Sequence, residues 1–216
     1  MMRKHALYFG AVLLLAACFS TPTKRYIQIV AMDKDAQPHP RIDKVLYIEP
    51  VRVDPLYDDF RVIYRVSLYE LKYYSYVFWA KKPDALFREA MGNYLSRKEG
   101  FPRVTLDVLQ GDPEIVLRST IRLLEEIDNP KVWFGRLAMD LEFLEFKTAR
   151  SLVKHSFDRR MPLGAQRVQF LPAVLSGILV DELDIAVRKL AEALSAKEPA
   201  PEKAGAEGRL LIDRER

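Results

Sequence analysis

Hydrophobic positions along this chain recur with two periods, and the switches between them mark out the elements. Arg25 to Met32, rich in β-branched and aromatic residues, predicts a first strand, and Asp33 to Pro40, with two prolines and two aspartates, a loop. Val45 to Val53 (VLYIEPVRV) predicts a second strand. Pro50 within it has no N–H to give to a ladder, so that strand is expected at an edge or bulged there. Asp54 to Asp59 makes a turn, Arg61 to Ser67 a third strand, and Tyr69 to Trp79 contains a fourth. From Asp84 to Lys98 the period changes. Leu86, Phe87, Ala90, Met91, Tyr94 and Leu95 share one helical face, Pro83 suits the first turn, and Gly100 and Pro102 stop the helix. Val104 to Leu109 is extended again.

Three long strands are predicted next. In Ile115 to Glu126, Ile115, Leu117, Ile121 and Leu123 alternate with Arg118, Thr120 and Arg122. In Lys131 to Phe146, Trp133, Leu137, Met139, Leu141 and Phe143 form an apolar face against Arg136, Asp140 and Glu142; Ser151 to Arg160 is the third. Asp128-Asn129-Pro130 is turn chemistry that pairs the first two as a hairpin. Such alternation indicates an antiparallel sheet with one buried and one wet face. Leu171 to Leu194 carries the stripe Leu175, Ile178, Leu179, Leu183, Ala186, Leu190 and Leu194, which fits that buried face beside the first helix. The expected class is α+β, a mostly antiparallel sheet with two amphipathic helices on one face. Residues 25–195 form the domain, and residues 196–216, rich in Pro, Ala and Glu, a disordered tail.

The start of the chain has a different pattern. Arg3, Lys4 and His5 precede an apolar run from Ala6 to Ala17, the layout of a secretory signal peptide and too short for a stable membrane span. The run closes on Leu15-Ala16-Ala17-Cys18, which matches the lipobox of bacterial lipoproteins. Cys18 is the one cysteine in the chain. Its thiol is the group able to take a thioether-linked diacylglycerol, while Ala16 and Ala17 leave the backbone open to a peptidase cutting ahead of it. A single fatty chain holds a protein marginally, whereas two or three hold it firmly. Residues 1–17 are thus expected to be a signal peptide, and residues 18–24 a short lipid-anchored linker.

Charge and chemistry narrow the function. Arg3 and Lys4 would leave with the signal, lowering the 34 basic side chains to 32 against 30 acidic ones, so nothing favours nucleic acid. With Cys18 acylated, disulfides and thiolate metal sites are excluded. No histidine pair stands at metal-ligand spacing, and no nucleophile elbow or phosphate-cradling loop is present, so no metal, cofactor or catalysis is expected. His155 alternates with Val153 and Phe157, a core or interface position. Asp181, Glu182 and Asp184 on the long helix are expected on a solvated face, with Asp184 pairing Arg188. Tyr64, Tyr69, Tyr73, Tyr74, Tyr76, Phe78 and Trp79 crowd one hairpin. Aromatic pairs across strands are ordinary core material, but alternation cannot place all seven inside. Outward ones, with Tyr73, Tyr74, Tyr76 and Trp79 as candidates, suit a protein interface or a lipid-tail contact.

The extended YIEPVRVDP, then YRVSLYELKYYSYVFWAKKPDALFREAMGNYL, long strands and a C-terminal amphipathic helix resemble the ABC-type transport auxiliary lipoprotein family, which includes the paraquat-inducible C type. The resemblance rests on Tyr64-Arg65 after a short turn, Leu71-Lys72-Tyr73, and Trp79-Ala80 ahead of Pro83, and it covers about Ile27 to Leu194. It implies a non-enzymatic accessory of intermembrane lipid transport. The expected partners are a periplasm-spanning MCE-type binding protein with its ABC permease and ATPase, and further copies of the chain. Phe19, rather than aspartate, following Cys18 favours the periplasmic face of the outer membrane. The alternative is an accessory lipoprotein for outer-membrane assembly or export. Cys18→Ser is expected to abolish acylation and leave unprocessed precursor. Metabolic fatty-acid labelling checks this, and label retained by the variant contradicts it.

Overall fold

The computed structural model describes residues 22–32 and 39–196. The predicted signal peptide, the predicted lipobox with Cys18, most of the predicted loop at 33–40, and the predicted tail beyond Ala196 lie outside the described residues. In chain order the elements are β1 (Arg25–Ile27), β2 (Leu46–Ile48), β3 (Arg52–Val53), β4 (Arg61–Arg65), β5 (Leu71–Trp79), α1 (Pro83–Arg97), β6 (Val104–Thr105), β7 (Ile115–Ile127), β8 (Phe134–Glu145), β9 (Ser151–Pro162), a 3-10 turn at Val168–Phe170, and α2 (Leu171–Ser195). The nine strands make one mixed, mostly antiparallel sheet, so the α+β class holds.

β7 is the spine. One edge pairs antiparallel with β8 along its whole length, from Ile115↔Glu145 to Ile127↔Phe134. Its other edge takes three short parallel strands in succession: β2 at Ile115 to Leu117, β3 at Thr120 and Ile121, and β4 at Glu126 and Ile127. β5 then pairs antiparallel with β4, and β1 lies parallel to β5. The predicted second strand is therefore two strands. Pro50 interrupts it, and the register to β7 slips by one residue between Ile48↔Leu117 and Arg52↔Thr120. A residue without an N–H can hold its place beside a spine only through such a bulge.

The predicted first strand is also shorter. Gln28 to Met32 leaves the sheet and straps the helix layer, where the Val30 N–H donates to Ser176 Oγ at 3.2 Å and Arg97 donates to the Ala31 carbonyl. The alternation survives, with Ile29 and Ala31 buried and Val30 and Met32 exposed, but against helices. In β7 a bulge between Ile121 and Leu123 resets the phase, so Leu124 takes the buried place expected of Leu123.

The helices bury the predicted stripes. Leu86, Phe87, Ala90, Met91, Tyr94 and Leu95 of α1 are all inside, as are Leu175, Ile178, Leu179, Leu183, Ala186 and Leu190 of α2. α2 covers the face of β8 made by Leu137, Met139, Leu141 and Phe143. Its first turn comes so close at Gly135 that a Cβ there would stand 2.9 Å from Val174 Cγ1. A side chain at 135 would force Val174 and Leu171 of that turn to shift.

Trp79 belongs to this core at 2% exposure. Trp79→Ala is expected to cost about 3 to 5 kcal/mol of stability. A chemical-denaturation midpoint checks it, and an unchanged midpoint would mean that the vacated space refills at no cost.

Candidate functional site

The aromatic hairpin β4–β5 is where the sequence placed its interface candidates, and the structure separates them. Between Arg61↔Phe78 and Ile63↔Tyr73, β5 spends more residues than β4, so a wide bulge carries Tyr74, Ser75, Tyr76 and Val77. Alternation fails across it. Val77 and Trp79 point into the core, Tyr73 and Tyr76 face outward, and Tyr74 is half-buried. Trp79 therefore offers no surface to a partner. Arg61 lies over the Tyr73 ring at 4.0 Å, and the Tyr73 hydroxyl donates to the Leu56 carbonyl at 3.4 Å. Leu56 and Phe60, both exposed, extend this outward patch. The turn of the hairpin carries the most exposed apolar pair, Leu68 at 83% and Tyr69 at 97%.

The inward aromatics anchor the hairpin on two adjacent carboxylates of β7 that face opposite sides of the sheet. Glu126 is fully buried and accepts the Tyr74 hydroxyl at 2.6 Å, with Tyr64 packed on Tyr74 at 4.6 Å between ring centroids. Its second oxygen, Oε2, has no hydrogen-bond partner. Burial pushes the Glu126 carboxyl up to about 7, the Tyr74 hydrogen bond opposes this, and Asp128 adds to it. The same burial and the Glu126 carboxylate push the Tyr74 hydroxyl up. Glu125, at 1% exposure, points the other way. It takes a two-pronged bond from Arg65, 2.9 Å at each oxygen, a 3.4 Å contact from Arg136, and the Tyr57 hydroxyl at 2.9 Å. Burial and Glu125 push that hydroxyl up. Arg136 in turn clamps Asp158 at 2.8 and 2.6 Å, holding its carboxyl below the usual range.

Two acidic side chains of α2, Glu182 and Asp184, depart from the expected solvated face. Glu182 is buried against β9, bonded to His155 Nε2 at 2.5 Å and to Arg159 at 2.8 Å. Lys189 Nζ lies 3.0 Å from His155 Nδ1, so the imidazole is held through both of its nitrogens. Asp184 does not look to Arg188 as expected. It accepts the Tyr94 hydroxyl at 2.5 Å and bonds His39 Nε2 at 2.7 Å. His39 is buried, its backbone bonded to Lys98, and the backbone of Gly100 presses on it, where a Cβ would meet His39 Cβ at 2.6 Å. These side chains join neighbouring elements. The signal the sequence held was the acids themselves; their basic partners lie on β9 and in the segment at His39, far away in the chain.

Among the described residues no group of three or more His, Cys, Asp or Glu side chains could hold a metal ion. No described helix is long and apolar enough to cross a membrane. A mainly apolar groove of about 340 Å³ lies beside the strap, lined by Val30, Met32, Pro172 and Ala173 with Gln28, Gln169 and Ser176.

No family model and no curated protein matches this sequence. Solved structures do match in fold. Protein XCC0632 from Xanthomonas campestris, of the family DUF330, superposes with a TM-score of 0.64 at 12% identity, over 81% of this chain and 99% of that one. A crystal structure described as an uncharacterized protein gives 0.61 at 18% identity, over 76% and 97%. A PelC dodecamer from Paraburkholderia phytofirmans gives 0.45 at 11% identity, over 72% and 93%.

The buried carboxyl of Glu126 sets a pH dependence with a definite sign. A carboxyl raised in the folded state from 4.5 to about 7 supports folding below 4.5, and that support is lost as pH climbs towards 7. Glu126→Gln removes the titration. The difference in stability between variant and parent is therefore expected to move in the variant's favour from pH 4.5 to about 7, by up to about 3 kcal/mol. Urea titrations of both proteins across that range check it, and parallel curves would refute it.

Proposed function

We propose that this protein is a lipid-anchored component of the bacterial cell envelope that acts by docking, as an auxiliary part of an ABC-type, MCE-family lipid transport system. The observation that carries the reading is the junction at Cys18. The one cysteine of the chain closes a lipobox, and the ordered Tyr64-Arg65, Leu71-Lys72-Tyr73 and Trp79-Ala80 motifs follow in the domain behind it. Acylated Cys18 holds the domain against the outer membrane from the periplasmic side. The linker of residues 18–24 keeps it close to that surface.

The chemistry of the domain supports docking over turnover. Its buried carboxylates Glu125 and Glu182 are saturated by arginines or histidine within the fold, and Asp184 is taken up by Tyr94 and His39. What the domain presents instead is the outward patch of Leu56, Phe60, Tyr73 and Tyr76, aromatic and apolar with Arg61 at its centre. That composition suits the buried centre of a protein contact. The MCE-type binding protein, or a further copy of the chain, is the partner assigned to it.

The expected outcome of chemical cross-linking followed by purification of the full chain from membranes is recovery of an MCE-domain protein with its permease and ATPase. Tyr73→Asp, on an exposed position, is expected to reduce that recovery several-fold without changing the melting temperature. Recovery of a barrel assembly or polysaccharide export component in their place would overturn the transport reading.

A further inference from the structure

The tip of the β4–β5 hairpin presents Leu68 and Tyr69 almost wholly to solvent, and no contact within the fold explains them. Val66 and Ser67 close the turn on the Glu70 carbonyl, so the two side chains project from a fixed backbone. This tip lies at one pole of the molecule. β4 ends beside Ile127 at the end of β7, and Asp128 donates its N–H to the Arg65 carbonyl, which sets the tip next to the β7–β8 turn. That turn exposes another apolar side chain, Val132, beside Lys131. β9 ends at the same pole, where Pro162 pairs with Phe134, and contributes the exposed Arg160; exposed Arg167 follows.

β1 enters the sheet from this pole. It runs parallel to β5 with Arg25 opposite Val77, so its N-terminal end faces the beginning of β5, which is the hairpin tip. From Val77 back to Tyr69 is about 26 Å of strand. The seven residues from Cys18 to Arg25 can span at most about 24 Å. At full extension the tether ends about level with the tip and no further, so an acylated Cys18 holds the tip at the surface.

From these placements we infer that the Leu68–Tyr69 tip inserts into the phospholipid leaflet that carries the acylated Cys18, with Lys131, Arg160 and Arg167 against its anionic headgroups. The inference rests on the anchoring in the proposed function. A leaflet is favoured over a protein because two side chains on a narrow turn cover far less than the roughly 800 Å² per partner of a stable protein contact. A leucine with a tyrosine ringed by basic groups is the composition that partitions to a membrane interface. Insertion at this pole would leave the outward patch at Tyr73 and Tyr76, further along β5, free for a protein.

Acylated Cys18 leaves no free thiol, so Leu68→Cys or Tyr69→Cys supplies a single site for an environment-sensitive fluorophore in the mature chain. Leu109, 89% exposed near the start of β7 at the opposite pole, supplies the control as Leu109→Cys. The probe is the acylated protein in vesicles of phosphatidylethanolamine and phosphatidylglycerol. The label at 68 or 69 is expected to shift to the blue and to lose several-fold more fluorescence to a lipid-borne nitroxide than the label at 109. A label at 68 that stays water-like in protein shown by mass spectrometry to be acylated overturns the insertion while leaving the anchoring intact. A label shielded from aqueous iodide but untouched by the nitroxide overturns it in favour of a protein cover. Protein without acyl groups on Cys18 overturns the anchoring and the insertion together.

Discussion

Everything in this fold is hung on β7. Its thirteen residues pair with β8 on one edge and with three separate short strands on the other. The second set is parallel and runs in series along that edge, so a long crossover separates it from β7 in the chain and each member contributes only two or three register pairs. Those pairs are too few to hold a strand on their own. β7 therefore needs side chains to do what backbone ladders do elsewhere. Glu125 and Glu126 are the means, two neighbours pointing to opposite faces of the sheet, one bound to Arg65 of β4 and the other to Tyr74 of β5. The hairpin is gripped from both faces at the one place where β7 pairs with it.

Such buried charge comes at a cost in desolvation that its partners must offset. Glu125 has two arginines and a tyrosine, and the pair with Arg65 has the two-pronged geometry in which an arginine compensates best. Glu126 has only Tyr74, whose hydrogen bond opposes but does not offset the burial that raises its carboxyl. The two faces of one strand thus hold a carboxylate bonded by two arginines and another, without a cation, that burial pushes towards its neutral form. On α2 the same device recurs as Glu182 tied to β9 and Asp184 tied to α1 through Tyr94. Fixing the helix by named partners selects one placement over the slid alternatives that an apolar stripe alone would permit.

Legibility in the sequence followed the range of the interactions. The three long strands and both helices could be read to within a few residues at their ends, because local periodicity and turn residues decide them. The split at Pro50 was foreshadowed by the missing N–H, whereas the strap at Gln28 to Met32 was not, since an alternating segment looks alike against a strand or a pair of helices. Leu123 and Leu124 exchanged places because a bulge is invisible in the pattern it interrupts. Trp79 was grouped with outward tyrosines for the same reason, as the β5 bulge reverses the faces between Tyr73 and Val77. Glu182 and Asp184 were misread through range alone: the residues that bond them are 23 to 145 positions away.

These two levels meet at the hairpin. A recognition element binds well when little conformational freedom remains to be lost, and a hairpin held through Glu125, Glu126 and a turn closed on Glu70 has lost most of it before any contact is made. The grip also explains why exposed apolar residues can be tolerated there. Leu68 and Tyr69 cannot fold back onto the sheet, because the clamped strands on either side fix the direction of the turn. Loosening either carboxylate should therefore change what the hairpin presents before it unfolds the domain. Burial at Glu126 and display at the tip are two ends of one mechanical unit, and the sequence between Tyr64 and Trp79 serves both.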